Sequence, residues 1–305
     1  MLSICIPIYQ LDVRPLVQAL LAQVAQLSVP AELVLMDDGS GEKWIGINRE
    51  LGELSGVSLS FLPANIGRAA IRNRLAEAAK FPYLLFLDND AEITEENFLQ
   101  NYVSAIQEHP NVRVICGGRV YQQETPEPEF RLHWRYGRER ESQRATIRQA
   151  HAHRSFMTNN FLIFRELMLD IRFDERLKQY GHEDTLFGFQ LSQRGESILH
   201  LDNPVQHQDL ATNADFLHKT EQGIQNLVCI WQDFDLPPAF AQTVTLLKTY
   251  EKVKAVAPAM RVAFRLLKPG LRQAIASGKA PLRWFDAYKL LYLAQESTQI
   301  ARRRL

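Results

Sequence analysis

The sequence predicts an α/β fold: a mostly parallel sheet flanked by helices, followed by an α-helical C-terminal extension. Three observations predict it. Across residues 2–120, short apolar runs of strand length alternate with longer stretches of helical periodicity, the order that builds a parallel sheet covered by helices on both faces. Two of the apolar runs stop on acids, at Asp37-Asp38-Gly39-Ser40 and at Asp88-Asn89-Asp90, and such sheets bind ligands outside the carboxyl ends of their strands. From about Asp215 onward the pattern is helical alone.

Residues 2–8 form the first expected strand. Residues 11–27 follow as a helix, with Leu16, Leu20, Leu21, Val24 and Leu27 on helical spacing. Residues 32–36 are a second strand, 44–54 a weaker helix and 57–62 a third strand. An Ala-rich helix over 68–79 leads to a fourth strand over 83–87, a helix over 95–108 and a strand over 112–120. Residues 121–155 break the pattern with Pro126, Pro128, many Arg and Glu, and little periodicity; they are expected to be a mobile insertion, a lid or acceptor loop. Strand character returns over 156–164 around Asn159-Asn160. A helix over 185–194 ends on Gly195 as its C′ glycine. Residues 198–201 are a short strand, with His207 just beyond. The expected division is a domain over residues 1–214, containing the insertion, and a helical region over 215–305.

A chain of 305 residues can hold one large α/β domain with an appendage, or two domains. Its 46% hydrophobic and 23% charged residues are those of an ordinary globular protein. The net charge of zero gives no global reason to expect a nucleic-acid partner. Neutrality hides an asymmetry, since residues 241–305 hold 13 Lys and Arg against three acids, a net of +10, and the remainder carries −10. Cys5, Cys116 and Cys229 lie far apart without a CxxC or zinc spacing, which fits a reducing cytosol. The N-terminus lacks a basic segment and turns polar early, so no signal peptide is expected. No apolar run approaches the ~18 residues of a spanning helix. The expectation is a cytoplasmic protein, soluble or peripheral to a membrane.

Five constellations carry chemistry. Asp88 and Asp90 end an apolar strand one residue apart; a hard divalent cation would relieve their repulsion, while Asp90 or Thr94 could instead cap the next helix. Asp37-Asp38-Gly39-Ser40 offers carboxylates to a ribose or base N–H, or simply makes a turn. In the run 65–73, Asn65 could cap a helix that Gly67 opens. Arg68 and Arg72 share one face near its N-terminus, an anion-favouring place or a solvated basic face. Glu183-Asp184, after Gly181-His182, supplies a general base or caps a helix start. His207 is a ligand or a structural histidine.

The order of these motifs is more specific than any one of them. The series resembles the family 2 glycosyltransferases of the GT-A fold, a Rossmann-like architecture, over about residues 1–210. The resemblance implies an inverting, nucleotide-sugar-dependent transferase, with a UDP-sugar as the default donor. A glycan or lipid-linked glycan would be the acceptor and Mn²⁺ or Mg²⁺ the cofactor. It assigns Pro7 and Tyr9 to the base pocket, Asp38 to the uracil, and Arg68, Arg72 and Asn159 to the nucleotide sugar. Asp88 and Asp90 match the DXD-type motif, Asp90 on the metal and Asp88 nearer the ribose. His207 matches a histidine that completes the metal site, and Asp184 the catalytic base, with Glu183 beside it. Two positions depart from the family pattern: Ala91 stands where many relatives keep another acid, and Gln10 where an Asn is usual.

A sugar nucleotidyltransferase would carry a Gly-rich loop after the first strand, and a dehydrogenase a GxGxxG there; Pro7-Ile8-Tyr9-Gln10-Leu11 has neither. A non-catalytic nucleotide-sugar binder is the third alternative. In the basic tail, residues 253–267 and 282–293 interleave aromatic and aliphatic residues with Lys and Arg. Such helices lie on anionic membranes or pack onto the rest of the chain.

Overall fold

The computed structural model describes residues 1–178 and 180–303; Gln179 lies outside the described residues, as do Arg304 and Leu305 at the end of the basic tail. In chain order the elements are β1 (Leu2–Ile8), α1 (Arg14–Val24), β2 (Ala31–Asp37), α2 (Glu42–Asn48), β3 (Val57–Phe61), α3 (Arg68–Ala78), β4 (Tyr83–Leu87), β5 (Ala91–Glu92), α4 (Phe98–Glu108), β6 (Val114–Cys116) and β7 (Arg119–Tyr121). Then come α5 (Arg131–Tyr136), α6 (Ala145–Gln149), β8 (Asn160–Phe164), α7 (Arg165–Ile171), α8 (Glu183–Gln193), β9 (Ile198–His200) and β10 (Val205–His207). The chain ends in α9 (Asn213–Asp233), α10 (Ala239–Thr243), α11 (Thr245–Val253), α12 (Ala257–Ala276) and α13 (Leu282–Arg303). It divides into two compact units, one of Met1–Gln122, Ser142–Lys178 and Gln190–Asp209, the other of Gln123–Glu141, Gln179–Phe189 and Leu210–Leu305.

The first unit is built on a seven-stranded sheet in the order β3-β2-β1-β4-β8-β6-β9. β1 to β4 run parallel, β6 and β9 run parallel, and β8 is antiparallel to both its neighbours. Strands covered on both faces read as continuous apolar runs, and Leu2, Ile4, Ile6 and Ile8 of β1 are all fully buried. Because β1, β2 and β4 are parallel, their carboxyl ends meet at one edge. Ile8 pairs in register with Asp37, so the first-strand exit, Asp37-Asp38 and Asp88–Asp90 emerge together.

The expected strand over 112–120 is two strands. It breaks at Gly117-Gly118, where Gly118 takes φ +90° and a side chain at Gly117 would collide with the Tyr102 hydroxyl, the Asn160 amide and the Asn203 carbonyl. β6 stays in the main sheet, and β7 turns into a second sheet of order β5-β10-β7. β5 and β10 are too short to show a period in the sequence. The expected helix over 44–54 is α helix only to Asn48 and a 3₁₀ turn over Arg49–Glu53. Asn48 spends its side chain outside the helix, accepting from Val13 N (3.1 Å) and donating to the Leu11 carbonyl (2.8 Å). Helix α7 was not expected. Residues 121–155, read as irregular, carry α5, a π turn over Gly137–Glu141 and α6. Buried Arg148 ties α6 to the sheet by donating to the carbonyls of Cys116 (3.2 Å) and Gly117 (3.0 Å).

The second unit is helical among the described residues. Thr212 caps α9, its hydroxyl accepting from Asp215 N (3.2 Å) and donating to the Asp215 carboxylate (2.7 Å). α9, α12 and α13 pack together. Phe264 meets Tyr288 edge-on at 5.3 Å, and buried Glu221 accepts from Arg272 and from the Tyr288 hydroxyl. Of the two tail segments, 282–293 follows the packing alternative, with Phe285, Tyr288, Tyr292 and Leu293 buried. Among the described residues no helix is long and apolar enough to cross a membrane.

Candidate functional site

The exit of β4 carries most of the charge. Asp88 N donates to the Asn159 carbonyl (3.1 Å), which fixes the acid against β8. Its carboxylate accepts from Arg72 at 2.6 Å and from Arg68 at 3.3 Å. Both arginines come from the first turns of α3, four residues apart as the sequence suggested. Arg72 is almost wholly buried, while the Arg68 side chain is 43% exposed. Burial alone would raise the Asp88 carboxyl, but the charges of Arg72, Arg68 and Arg119, with the Arg72 hydrogen bond, outweigh it and hold the group down at about 2. Asp88 is therefore an anion neutralised by protein cations.

Asp90 faces the other way. Its carboxylate lies 3.3 Å from His207 Nδ1. The second sheet makes this contact, since His207 pairs in register with Ala91 on one side and Tyr121 on the other, and Gln208 N donates to the Asp90 carbonyl at 3.0 Å. The Tyr121 ring packs on the imidazole at 5.2 Å. The capping alternative for Asp90 and Thr94 fails: α4 begins at Phe98 with Asn97 at its N-cap position and no side-chain cap.

The DDGS turn is held by local bonds. Asp37 accepts from Ser40 N (2.7 Å), leaving its other oxygen buried without a partner. Ser40 Oγ accepts from Gln10 N (2.8 Å), and Gln10 takes the left-handed φ of 51°, a conformation in which Asn is more at home. Asp38 accepts from Ile66 N (2.7 Å) and Gly67 N (3.2 Å). Burial raises its carboxyl above the ordinary range, and nearby Asp37 adds to this against the two amide bonds. Gly67, at φ +90°, is itself the N-cap of α3, with no side-chain cap. Asn65 is not the cap the sequence suggested, because the Asp38 carboxylate takes the amides that precede the helix. Pro7 is half-buried at the end of β1. Tyr9 is 46% exposed, and its carbonyl accepts from Asn89 Nδ2 at 3.2 Å. Asn159 is buried, with Oδ1 unpartnered.

In the second unit, Glu183 and Asp184 open α8. Gly181 (φ +97°) and His182 (φ +68°) make the sharp entry. Asp184 Oδ1 accepts from Thr185 N (2.7 Å) and lies 3.3 Å from Thr185 Oγ1, which is 3.0 Å from His182 Nδ1. Burial lowers the imidazole of His182 to about 4, Lys289 adding to this and Glu183 opposing it. The structure thus gathers Tyr9, Asp38, Arg68, Arg72, Asp88, Asp90, Asn159 and His207 in the first unit and sets Glu183 and Asp184 in the second.

Asp90 and His207 offer a carboxylate oxygen and an imidazole nitrogen to one point. This pair fits a divalent ion that fills the rest of its shell with ligand oxygens and water. Among the described residues no cluster of three His, Cys, Asp or Glu forms a closed metal cage. Both oxygens of Asp88 are already bonded to arginines.

Sequence reasoning missed Arg119 and Tyr121. Arg119 adds its charge to the field on Asp88 and donates to the Tyr121 hydroxyl (3.1 Å). The signal was the Arg-x-Tyr alternation after two glycines, which puts both side chains on one face of a strand.

A protein of Haemophilus influenzae, named an uncharacterized glycosyltransferase, is 36% identical over 110 residues, which are 36% of this chain and 44% of that protein; the match thus spans under half of the relative. Among solved structures, the mannosyltransferase PcManGT from Pyrobaculum calidifontis, in complex with GDP-Man and Mn²⁺, superposes with a TM-score of 0.58 at 16% identity over 100% of this chain and 88% of that one. S. aureus TarS 1-349, in complex with UDP-GlcNAc, gives 0.52 at 16% identity over 99% and 91%. Glucosyl-3-phosphoglycerate synthase from Mycobacterium tuberculosis, with Mn²⁺ and UDP, gives 0.51 at 15% over 75% and 78%. At these identities the likeness is one of fold, that of the GT-A glycosyltransferases. The model of the family described as Glycosyl transferase family 2 matches residues 3–169, more than half of the chain, and the chain therefore belongs to glycosyl transferase family 2.

Proposed function

We propose that this protein transfers a sugar from a nucleotide diphosphate donor, with a UDP-sugar first in line, to a hydroxyl of a glycan or lipid-linked glycan, with inversion. The observation that carries the reading is the division of labour at the β4 exit. Asp88 is locked to Arg72 and Arg68 while Asp90, two residues on, is turned to His207. This pattern supports a nucleotide diphosphate site: arginines and a helix N-terminus nearby for anionic oxygens, and a separate carboxylate–imidazole pair for a cation. The solved relatives bind GDP-Man, UDP-GlcNAc and UDP, two of them with Mn²⁺.

In this reading Pro7 and Tyr9 line the base pocket, and Asp38, which also holds Ile66 N and Gly67 N, meets the uracil. Asp88 orients Arg68 and Arg72 and lies towards the ribose, and Asn159 contributes from the start of β8. Asp90 and His207 would hold Mn²⁺ or Mg²⁺, which when bound offsets negative charge on the departing diphosphate. Asp184, whose Oδ1 accepts from Thr185 N, takes the proton of the acceptor hydroxyl, with Glu183 beside it. The sugar carbon gains oxocarbenium character as the acceptor oxygen bonds to it and its bond to the diphosphate oxygen breaks, the nucleoside diphosphate leaving intact.

Thermal stabilisation by UDP, UDP-GlcNAc and GDP-Man, each with and without Mn²⁺, tests the donor site. At least one should raise the melting temperature more with Mn²⁺ than without. Asp90→Asn and His207→Ala should remove the Mn²⁺-dependent part while the fold persists. Absence of stabilisation across the panel overturns the reading, and binding without any hydrolysis or transfer favours a non-catalytic binder.

A further inference from the structure

α12 has two apolar faces. The inner one, Ala257, Phe264 and Ile275, is buried against its helical neighbours. Opposite it, Ala259, Val262, Leu266 and Pro269 recur at intervals of three and four, one stripe along about three helical turns. Val262 is 60% and Leu266 75% exposed, and Val256, one turn earlier, is also exposed. No ion pair or hydrogen bond is needed to explain these side chains, and burial inside the unit does not account for them. A monomer usually scatters its exposed apolar residues singly; a contiguous patch marks an interaction surface.

We propose that this outward face of α12 docks on an anionic lipid bilayer. The charge around the stripe selects the occupant. Exposed Lys252 and Lys254 precede it, Arg265 stands exposed beside Leu266, and Arg261 is half-exposed on the same flank. The segment from residue 241 onward carries a net of +10. An apolar stripe edged by Lys and Arg inserts at the headgroup–acyl boundary, and the cations are drawn by anionic headgroups. The same surplus of like charge opposes pairing of this face with a second copy of itself. The geometry also sorts the two tail segments: α13 buries Phe285, Tyr288 and Tyr292 and exposes Trp284, whereas α12 keeps four apolar positions outward. The inference is independent of the donor-site reading, since it uses none of its residues.

The test is co-sedimentation of the full chain with vesicles of phosphatidylcholine alone or mixed with phosphatidylglycerol, at low and high salt, beside a measurement of molar mass in solution. The chain should pellet with the anionic vesicles at low salt, less at high salt because the charges are screened, and little with phosphatidylcholine alone. Val262→Glu and Leu266→Glu should each weaken partitioning by about ten-fold or more, with an unchanged melting temperature because both positions are exposed. Arg265→Ala should weaken it by a few-fold. No pelleting with anionic vesicles at low salt overturns the proposal. Undiminished pelleting of the Glu variants, or a dimer that Leu266→Glu dissociates, overturns it as well.

Discussion

Arg72 donates to Asp88 at 2.6 Å from a position almost closed to solvent, and this ion pair joins the start of α3 to the exit of β4. The arginine also donates to the Arg68 carbonyl (3.2 Å) and lies 5.8 Å from the Phe173 ring. A guanidinium so enclosed is tolerated only with its partner present, because its desolvation is otherwise uncompensated. The motif residues at this edge are thus part of the structure of the sheet exit as well as candidates for ligand contact.

Arg72→Ala should therefore destabilise the chain by about 3 kcal/mol, the cost of removing the nearest and most buried partner of the Asp88 carboxylate and leaving it the longer contact to Arg68. Arg68→Ala should cost less than about 1 kcal/mol, since its side chain is nearly half exposed and its contact is long. Urea unfolding of the two variants beside the wild type compares them directly. Equal losses would place the weight of the pair elsewhere.

Asp88 also sets an acid limb. Its carboxyl is held at about 2 in the fold against 3.8 ordinarily. A depressed carboxyl contributes stability that is complete above the unfolded value and lost as pH falls through the folded one. Unfolding free energy should therefore decline between about pH 4 and pH 2, and Asp88→Asn should flatten that decline while lowering the plateau above it.

A second limb belongs to the histidines. His200 Nδ1 lies 2.8 Å from an Arg148 nitrogen that can only donate, and Nε2 lies 3.0 Å from the Ala152 carbonyl. The ring must accept at Nδ1 and donate at Nε2, so it is neutral. Burial lowers it to about 4, Arg148 and His153 adding to this and the Ala152 bond opposing it. His182 is likewise lowered to about 4, chiefly by burial. The unfolded chain binds these protons near the ordinary 6.5 and the folded chain does not until about 4. Stability should thus be full above about pH 6.5 and fall as pH drops towards 4. His200→Gln should shrink that fall by roughly half, read from denaturant midpoints across the range.

Much of this edge was legible because long runs carry periods. β1, β2 and β4 announced themselves as largely apolar runs and β3 as an alternation of apolar residues with serine, and the acid-terminated exits of β2 and β4 followed. The four-residue spacing of Arg68 and Arg72 put them on one face, and the structure adds the carboxylate they share. What was not legible is short or distant in sequence. β5 and β10 have too few residues for any period, yet they bring His207 to Asp90. The antiparallel placing of β8 depends on pairings that no local pattern encodes. Arg119 was hidden for the same reason, since it adds its charge to Asp88 only once Gly117-Gly118 has turned the chain out of the main sheet.

That turn gives a further prediction. An alanine Cβ at Gly117 would drive into the Tyr102 hydroxyl, the Asn160 amide and the Asn203 carbonyl. These groups are already committed: Tyr102 donates to Asn160 Oδ1 (2.6 Å), and Asn160 donates to the carbonyls of Gly118 and Asn203 (2.9 Å each). None can move without breaking a buried hydrogen bond. Gly117→Ala should cost at least about 3 kcal/mol. Gly195→Ala is the control: it has open space at its Cβ and should cost only about 1 kcal/mol for its positive φ.

Asp184→Asn separates a base from a cap. The carboxylate holds Thr185 N at 2.7 Å through Oδ1, and an asparagine carbonyl can accept that bond equally well, so helix α8 should keep its start and the melting temperature should move little. If the carboxylate takes the acceptor proton, turnover with the donor found by thermal shift should fall by ~10²–10⁴ while that donor stabilises the variant as it does the wild type. If Asp184 only caps the helix, Asp184→Asn should turn over at near the native rate, and Asp184→Ala should lose about 1 kcal/mol of stability for want of an acceptor. Measuring rate, donor-induced shift and melting temperature on both variants distinguishes the two roles, because a cap moves stability and a base moves rate.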